Sequence, residues 1–278
     1  FHCFLYLDDK IHTKDDLVDN LNDDIPILGE VPFIQDKTYV SRFADGSARD
    51  TISESIRMII ANLNFSMVSF NDENNSECKV ALVTSSVKGE GKTLISTNLA
   101  SGLTSIKKKK VLLIGADLRN PQIHKIIGYD KNIKGLSDLI YKNDVDNYKD
   151  YIINHNSLDI ILSGTIPPNP TEVLASKSFD RLIDKLKNFY DFIVIDSAPC
   201  LLVSDTFEVS NYADLCLYVV RSNYSERRLC DYVNECLELE RFKKVNVIFN
   251  AVGNSQAYGY KYGYQYGYKY GYKYGYSY

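Results

Sequence analysis

A short loop between an apolar strand and a helix constrains the fold of this chain more than any other part of its sequence. Residues 79–84 (KVALVT) are apolar and rich in β-branched side chains, which predicts a buried strand. Residues 86–93 (SVKGEGKT) follow, and residues 92–105 have the periodicity of a helix. The loop matches the phosphate-binding P-loop pattern G-x-x-x-x-G-K-[ST], except that Ser86 replaces the first glycine. The sequence therefore predicts a strand, a phosphate-binding loop and a helix in direct succession.

The remaining sequence alternates between short apolar runs and helical patterns. Helical periodicity is also present at 51–70, 171–188, 204–211 and 226–241, and further apolar runs lie at 110–114, 158–162, 191–195, 215–220 and 245–249. Near-continuous apolar strands separated by helices are typical of a parallel sheet that is covered on both faces. We therefore predict an α/β fold of the P-loop NTPase type, with a doubly wound, mostly parallel sheet and helices on both faces. The ligand of such a sheet lies at the carboxyl ends of its strands.

The composition excludes several other classes of protein. The 36 acidic and 32 basic residues give a formal net charge of −4, so the chain as a whole has no attraction to nucleic acid. The six cysteines form no C-x-x-C pair and there are only four histidines, which argues against a zinc site and against a disulfide framework. A reducing compartment fits this cysteine usage best.

The residues of the P-loop have defined chemical roles. Glycines at 89 and 91 allow backbone N–H groups to face phosphate oxygens, and the start of the helix adds its positive end. Lys92 is expected to contact the β- and γ-phosphates of ATP, and the Thr93 hydroxyl is expected to bind Mg²⁺. A glycine turn without a ligand is the alternative, which the strand before the loop and the helix after it disfavour. The expected ATP contacts are Ser86, Lys88, Gly89, Glu90, Gly91, Lys92, Thr93 and Leu94.

Two aspartates follow predicted strands. Asp117 lies in GADLRNP (115–121), and Asp196 lies in VIDSAP (194–199). A carboxylate at the end of a strand beside the P-loop can orient Mg²⁺ or accept a proton, and an aspartate after four apolar strand residues has the form of a Walker B motif. The alternatives are a surface ion pair between Asp117 and Arg119, and an Asp196 that caps a turn.

The end of the chain is a repeat of tyrosine and glycine. Residues 258–278 follow the pattern Y-G-Y-K and contain eleven of the 22 tyrosines. Without aliphatic side chains this segment cannot bury a core of its own, so residues 254–278 are expected to form a disordered, tyrosine-rich tail. Taken alone, such a repeat is also typical of a low-complexity binding segment that carries no phosphate.

Together these motifs resemble the cytoplasmic domain of the bacterial tyrosine kinases, the autokinases of capsule and exopolysaccharide export within the MinD/ParA-like group of P-loop ATPases. GADLRNP resembles the family's Walker A′ motif, D-x-D-x-R, and LSGTIPPNPTEVLAS (162–176) is close to a characteristic family segment. LDDKIHTKDDL (7–17) and IPILGEVP (25–32) resemble the stretch that follows the second transmembrane helix in the fused members of the family. The resemblance covers nearly the whole chain.

The resemblance implies a role for each residue of the site. Lys92, Asp117 and Asp196 would carry catalysis, with ATP and Mg²⁺ as cofactors. The Mg²⁺ ligands would be Thr93, Asp117 and Asp196, and Asn250, after the last strand, would contact the adenine. The tail would be the autophosphorylation cluster, with phosphates on Tyr258, Tyr260, Tyr262, Tyr264, Tyr266, Tyr268, Tyr270, Tyr272, Tyr274, Tyr276 and Tyr278.

The resemblance also implies an organisation and a cellular setting. Residues 1–45 would be a juxtamembrane segment behind a missing transmembrane region, 46–253 the kinase domain and 254–278 the tail. The apolar residues 1–7 would then end a transmembrane helix, although their composition alone slightly favours a short strand or helix. The domain would lie at the cytoplasmic face of the bacterial inner membrane as a homo-oligomer such as a ring. Its partners would be the polysaccharide export and polymerisation machinery and a tyrosine phosphatase, and nucleic acid would not be among them.

Three positions depart from the family pattern. The helix motif E-x-x-R-x-x-R, which supports ring-like oligomers, begins with Glu54 and Arg57 but has Ile60 in place of the second arginine. Gly115 stands at the first aspartate of Walker A′, which leaves the second aspartate as the only candidate base in that motif. Val87 occupies the position of the signature lysine of MinD/ParA ATPases.

The resulting prediction is an ATP-dependent protein-tyrosine autokinase. It would phosphorylate its own tail, or the tail of a neighbouring subunit, and thereby regulate the polymerisation and export of capsular polysaccharide or exopolysaccharide. A MinD/ParA-like ATPase switch and an ATP-binding scaffold without kinase activity are the alternatives. The tyrosine tail and Val87 favour the kinase, whereas Gly115 is compatible with the ATPase switch and with the scaffold.

Overall fold

The computed structural model describes residues 8–33, 51–68, 78–130 and 132–253, and these residues are built around a single sheet. Its strands are β1 (Ile27–Pro32), β2 (Lys79–Ser85), β3 (Val111–Gly115), β4 (Ile152–His155), β5 (Leu158–Ile161), β6 (Phe192–Asp196), β7 (Leu215–Arg221) and β8 (Val245–Val252). Their order across the sheet is β1-β8-β7-β2-β6-β3-β5-β4. Every neighbouring pair is parallel except β4 and β5. All six strands expected from the sequence are present.

Helices cover both faces of the sheet. They are α1 (Lys14–Asn20), α2 (Thr51–Val68), α3 (Lys92–Lys107), α4 (Ile123–Ile127), α5 (Leu136–Tyr141), α6 (Pro170–Leu174), α7 (Lys177–Lys187), α8 (Asp205–Ser210) and α9 (Arg228–Glu238). Side chains alternate along a strand, so Val80 and Leu82 of β2 join one core with α7 and α9. Ala81 and Val83 join the opposite core with α2 and α3. This arrangement confirms the predicted doubly wound α/β fold.

Some elements differ from the sequence pattern. The expected helix at 171–188 is two helices, α6 and α7, because the Ser176 side chain caps the second by accepting a hydrogen bond from the Phe179 N–H. The edge strands β1 and β4 are additional to the six expected strands, although β1 includes part of an apolar stretch (25–29) and buries Leu28 and Val31. In β1 the chain passes so close to α2 that a Cβ atom on Gly29 would lie 2.7 Å from Ile59 Cγ1. This close approach adds to the burial of the apolar side chains Leu28 and Val31 in holding β1 at the edge of the sheet.

Residues 8–33 are an integral part of this fold. Ile11 is fully buried in the core that contains α7 and α9, and β1 pairs with β8. The Ile11 N–H donates to the Ser225 carbonyl oxygen (2.9 Å), and its carbonyl oxygen accepts from the Asn223 N–H (2.8 Å). Part of the expected segment 1–45 therefore packs with the core, and the boundary after residue 45 stays a prediction. That a membrane span precedes this segment stays a prediction.

Three predicted segments lie outside the described residues. They are the apolar start (1–7), the end of the juxtamembrane segment (34–45) and the tyrosine tail (254–278) with all of its expected phosphorylation sites. Within the ranges that the structure describes, none of the helices has the length and apolar character needed to cross a membrane.

Candidate nucleotide-binding site

The loop between β2 and α3 has a conformation that requires two glycines. Gly89 has a φ of +95° and Gly91 a φ of +99°, in the left-handed region that other residues rarely adopt. Space is limited as well. A Cβ atom on Gly91 would lie 2.1 Å from Asn250 Nδ2, and one on Gly89 would lie 2.8 Å from the Tyr224 hydroxyl. The glycines therefore permit a tight turn at the start of α3, where free backbone N–H groups attract anions.

Lys92 and Thr93 begin α3 and lie inside the site. Their exposed fractions are only 7% and 8%. The Lys92 Nζ atom lies 3.7 Å from the Asp117 Oδ2 atom, so the ammonium and the carboxylate face each other. A buried ammonium at the N terminus of a sixteen-residue helix places two sources of positive potential together. Such an arrangement suits the phosphate groups of a nucleotide.

Asp117 and Asp196 are brought together at the ends of β3 and β6. The Asp117 N–H donates to the Asp196 carbonyl oxygen (3.0 Å), and the Asp117 Oδ1 atom accepts from the Asn120 N–H (2.9 Å). The alternative pairing of Asp117 with Arg119 is not the one formed. Arg119 instead donates two hydrogen bonds, of 2.7 and 3.0 Å, to the buried carboxylate of Asp205.

The Asp196 carboxyl is buried in surroundings that favour a cationic ligand. Burial raises the pKa of Asp196 to about 7, although the Lys92 ammonium and a hydrogen bond with Thr93 act to lower it. Within the described part of the chain the Oδ1 atom has no hydrogen-bond partner. A buried carboxylate oxygen without a partner is unfavourable until a donor or a cation reaches it.

These oxygen atoms fit a divalent cation that also contacts phosphates. Mg²⁺ is typically held by one or two carboxylates, together with water and the phosphates of a substrate. Thr93, Asp117 and Asp196 supply a hydroxyl and two carboxylates. The described residues contain no cluster of three or more histidines, cysteines and acids suited to a metal. One hydroxyl and two carboxylates fit a cation that completes its coordination with water and nucleotide phosphates.

Two further P-loop side chains stabilise the loop itself. Ser86 Oγ lies 2.8 Å from the Tyr218 hydroxyl, and both side chains are buried. The Glu90 carboxylate folds back on the loop, where it accepts hydrogen bonds from the Val87 N–H (2.8 Å) and the Ser225 hydroxyl. Burial raises the pKa of Glu90. The expected contacts of these residues with ATP stay predictions.

Asn250 lies directly against the loop. Its Nδ2 atom donates to the Glu90 carbonyl oxygen (2.8 Å), and its Oδ1 atom accepts from the Ala251 N–H (2.8 Å). Both polar ends of the amide are therefore used within the protein, and the expected adenine contact stays a prediction. Lys88 is exposed and Leu94 is half-buried.

Sequence reasoning missed two residues that follow the loop by more than 130 positions. The Arg221 Nη1 atom donates to the Gly89 carbonyl oxygen (2.7 Å). The Tyr224 hydroxyl donates to the Lys88 carbonyl oxygen (2.8 Å). Arg221 ends β7 and Tyr224 lies in the turn after it, and no local pattern connects either residue to the P-loop.

Gly115 leaves no room for the aspartate that the resemblance leads one to expect there. A Cβ atom at this position would lie 2.7 Å from Ser163 Oγ, 3.0 Å from the Ser163 backbone nitrogen and 3.2 Å from Ile123 Cδ1. Ser163 is itself buried, with 5% of its surface exposed. Ser163 therefore occupies the space that a side chain at position 115 would need.

Restoring that aspartate alone is expected to weaken the fold. Gly115→Asp should lower the free energy of unfolding by about 1–3 kcal/mol, because the new side chain overpacks a filled site. Adding Ser163→Gly removes the closest contact and should recover part of the loss. Urea unfolding of the two variants beside the parent chain measures both effects. A Gly115→Asp variant as stable as the parent would contradict the packing described here.

Glu54 and Arg57 lie away from this site, on α2. Arg57 donates a hydrogen bond to the Glu54 carboxylate, and Glu54 is exposed. Ile60, at the position of the family's second arginine, is buried with 1% of its surface exposed. The oligomeric role of Glu54 and Arg57 stays a prediction.

Comparisons with known proteins agree with the geometry of the site. The sequence profile of the family described as AAA domain matches residues 78–234. Tyrosine-protein kinase YwqD of Bacillus subtilis (strain 168) is 34% identical over 210 residues, which cover 75% of this chain and 85% of the relative. The crystal structure of the chimerical protein CapA2B2 has a TM-score of 0.74 at 30% identity, covering 86% of this chain and 99% of that one. The kinase domain of the Escherichia coli tyrosine kinase ETK has a TM-score of 0.72 at 25% identity, covering 91% and 95%.

Proposed function

Because this chain belongs to the family of bacterial tyrosine-protein kinases, we propose that it transfers the γ-phosphoryl group of Mg²⁺-bound ATP to the tyrosines of its own C-terminal tail or of a neighbouring subunit's tail. One observation carries the proposal. Lys92, Asp117 and Asp196 meet at the start of α3, and a buried oxygen of Asp196 is left without a protein partner. That oxygen is where a cation accompanying ATP would be held.

Each residue of the site has a task in this reaction. The N–H groups of the P-loop and the Lys92 ammonium bind the phosphates and offset the charge that develops on the γ-phosphoryl group. Thr93, Asp117 and Asp196 would hold Mg²⁺, which would neutralise phosphate charge. Phosphoryl transfer depends mainly on positioning and charge, so a rigid loop at the end of β2 contributes directly to rate.

The acceptor hydroxyl requires orientation and a base. A tyrosine has a pKa of ~10, so it is a poor nucleophile near neutral pH. Asp117 is the carboxylate of the Walker A′ motif that would accept its proton. A cleft of about 590 Å³ begins two residues after Asp117 and is lined by residues 119–125, 132–133 and 162–166, and we propose that the acceptor side chain approaches from this side.

The tail supplies acceptors at high effective concentration. Residues 258–278 carry eleven tyrosines on one short segment, so the acceptor does not have to be captured from solution. Each phosphate adds about −1.5 to −2 charge and would make the tail strongly acidic. The resulting repulsion would free the tail and loosen an oligomer, which is how we propose that the kinase regulates polysaccharide polymerisation and export.

The cellular setting is part of the same proposal. The chain would act at the cytoplasmic face of the inner membrane, behind an N-terminal transmembrane region, and would assemble through the surface around Glu54 and Arg57. The export machinery and a tyrosine phosphatase would be its partners. A Glu54→Ala, Arg57→Ala double variant with an unchanged assembly mass would remove that part of the proposal.

Gly115 favours a second candidate, an ATPase switch of the MinD/ParA type. Without the first Walker A′ carboxylate the site could hydrolyse ATP without passing the phosphoryl group to tyrosine. The two candidates differ in the fate of that group, and not in nucleotide binding.

The two products can be counted in the same sample. The purified chain is incubated with Mg²⁺ and ATP, and both ADP and phosphotyrosine are measured over time. A kinase is expected to release about one ADP for each phosphotyrosine formed early in the reaction. A matched variant with all eleven tail tyrosines changed to phenylalanine should lose the phosphotyrosine and keep its affinity for ATP. ADP without phosphotyrosine in the parent chain would select the switch.

A further inference from the structure

Three consecutive carbonyl oxygens of the P-loop accept hydrogen bonds from side chains of β7, β8 and the turn after β7. The carbonyl oxygens of residues 88, 89 and 90 accept hydrogen bonds from Tyr224, Arg221 and Asn250, at 2.8, 2.7 and 2.8 Å. Asn250 belongs to β8, Arg221 ends β7, and Tyr224 lies in the turn after β7. We call Arg221, Tyr224 and Asn250 the carbonyl clamp.

Because the peptide bond is planar, the clamp also fixes the direction of the neighbouring N–H groups. In a planar trans peptide the carbonyl of one residue and the N–H of the next point in opposite directions. Fixing the carbonyls of residues 88–90 therefore fixes the N–H groups of Gly89, Glu90 and Gly91 toward the other side of the loop. Within the described part of the chain these three N–H groups have no hydrogen-bond acceptor. They are thus available to an anion.

From this arrangement we propose that the carbonyl clamp is a set of positioning residues. It aims three successive P-loop N–H groups at the phosphates of a bound nucleotide. The inference rests on the proposed function only in requiring that this site binds a nucleotide. Without the clamp each peptide plane can rotate, and the nucleotide must order the loop as it binds.

The clamp is itself held in place. The Asn250 amide cannot turn over without loss, because its Oδ1 atom accepts from the Ala251 N–H while its Nδ2 atom faces the Glu90 carbonyl. The Arg221 guanidinium lies over the Tyr224 ring, 5.0 Å from the ring centre, so these two side chains support each other. Each donor is therefore preorganised before a nucleotide arrives.

Removal of single donors tests the proposal. Tyr224→Phe keeps the ring under Arg221 and deletes only the hydroxyl. Asn250→Asp keeps the shape and replaces the donor with an oxygen that repels the Glu90 carbonyl. The affinity for Mg²⁺-ADP, measured by isothermal titration calorimetry, should fall about 3- to 10-fold in the first variant and at least about 10-fold in the second. The KM for ATP should rise correspondingly, and kcat should change by less than about twofold.

Tyr232→Phe is the matched control. Its hydroxyl also donates to a backbone carbonyl, that of Cys200 (3.0 Å), outside the P-loop. This variant should bind Mg²⁺-ADP like the parent chain, which separates the clamp from a general loss of stability. Arg221→Lys, which keeps a donor, should bind more tightly than Arg221→Met.

The outcomes distinguish this inference from the proposed function. Parent-like affinity for Mg²⁺-ADP in Tyr224→Phe, or a loss no larger than that of Tyr232→Phe, would overturn the clamp while leaving the kinase intact. Tyr224→Phe alone decides the question if Asn250→Asp does not fold, because the Tyr224 side chain is partly exposed and tolerates the change. A parent chain that does not bind Mg²⁺-ADP would overturn both.

Discussion

Lys92→Ala is expected to lower the rate of tyrosine phosphorylation by about 10³-fold. The Lys92 ammonium is buried at the start of α3, 3.7 Å from the Asp117 carboxylate. The other lysine of the loop, Lys88, has an exposed side chain and does not replace that charge. The phosphates would then face two carboxylates without the cation that offsets them. The initial rate of phosphotyrosine formation at saturating Mg²⁺-ATP measures the effect.

Lys107→Ala provides the control for this change. Lys107 lies at the opposite end of the same helix and is exposed, so its loss removes an equal charge far from the site. The rate should stay within about twofold of the parent. If Lys92→Ala remained folded and kept more than about a tenth of the parent rate, the assignment of Lys92 to the γ-phosphate would be untenable.

Asp196→Asn is expected to abolish most activity and to stabilise the nucleotide-free protein. Burial raises the pKa of Asp196 to about 7, from an ordinary value of 3.8. The native carboxyl therefore binds its proton more tightly than the unfolded one. Stability then falls as the pH rises from about 4 to about 7, by up to about 1.4 kcal/mol for each pH unit. Asparagine carries no charge and avoids this loss, so at pH 8 the variant should be more stable by a few kcal/mol.

Two measurements separate the two effects. Urea unfolding without nucleotide should give similar stabilities for parent and variant near pH 4, and a clear advantage for Asp196→Asn at pH 8. The phosphorylation rate should fall by about 10²-fold or more, because a Mg²⁺ ligand is lost. Destabilisation by Asp196→Asn at pH 8 would refute the electrostatic description of this carboxyl.

The sequence was most informative where function depends on consecutive residues. The P-loop lies between β2 and α3 as its pattern predicts, because glycines at 89 and 91 permit the left-handed backbone that this turn requires. Asp117 and Asp196 meet because each follows an apolar strand, and the carboxyl ends of parallel strands share one edge of the sheet. Parallel order follows from the alternation of strands and helices.

The features of the fold and the site that the sequence did not predict depend on contacts between segments that are distant in the chain. Arg221 and Tyr224 reach the P-loop from more than 130 positions away, through a turn whose sequence has no recognisable motif. The filling of the space beside Gly115 by Ser163 is likewise invisible until β3 and the segment after β5 are placed side by side. The edge strand β1 approaches α2 closely at Gly29, a contact that its apolar residues do not reveal, although the burial of Leu28 and Val31 follows from their apolarity.

Peptide mass spectrometry of the purified chain after incubation with Mg²⁺ and ATP tests whether the chain phosphorylates its own tail. The proposed kinase should carry phosphate on tyrosines within residues 258–278, and after the same short incubation the Lys92→Ala variant should carry about a thousandth as much. That result would also establish that phosphoryl transfer proceeds with Gly115 in place of the Walker A′ aspartate. An unmodified tail in a parent chain that binds Mg²⁺-ATP would contradict the assignment as a tyrosine autokinase.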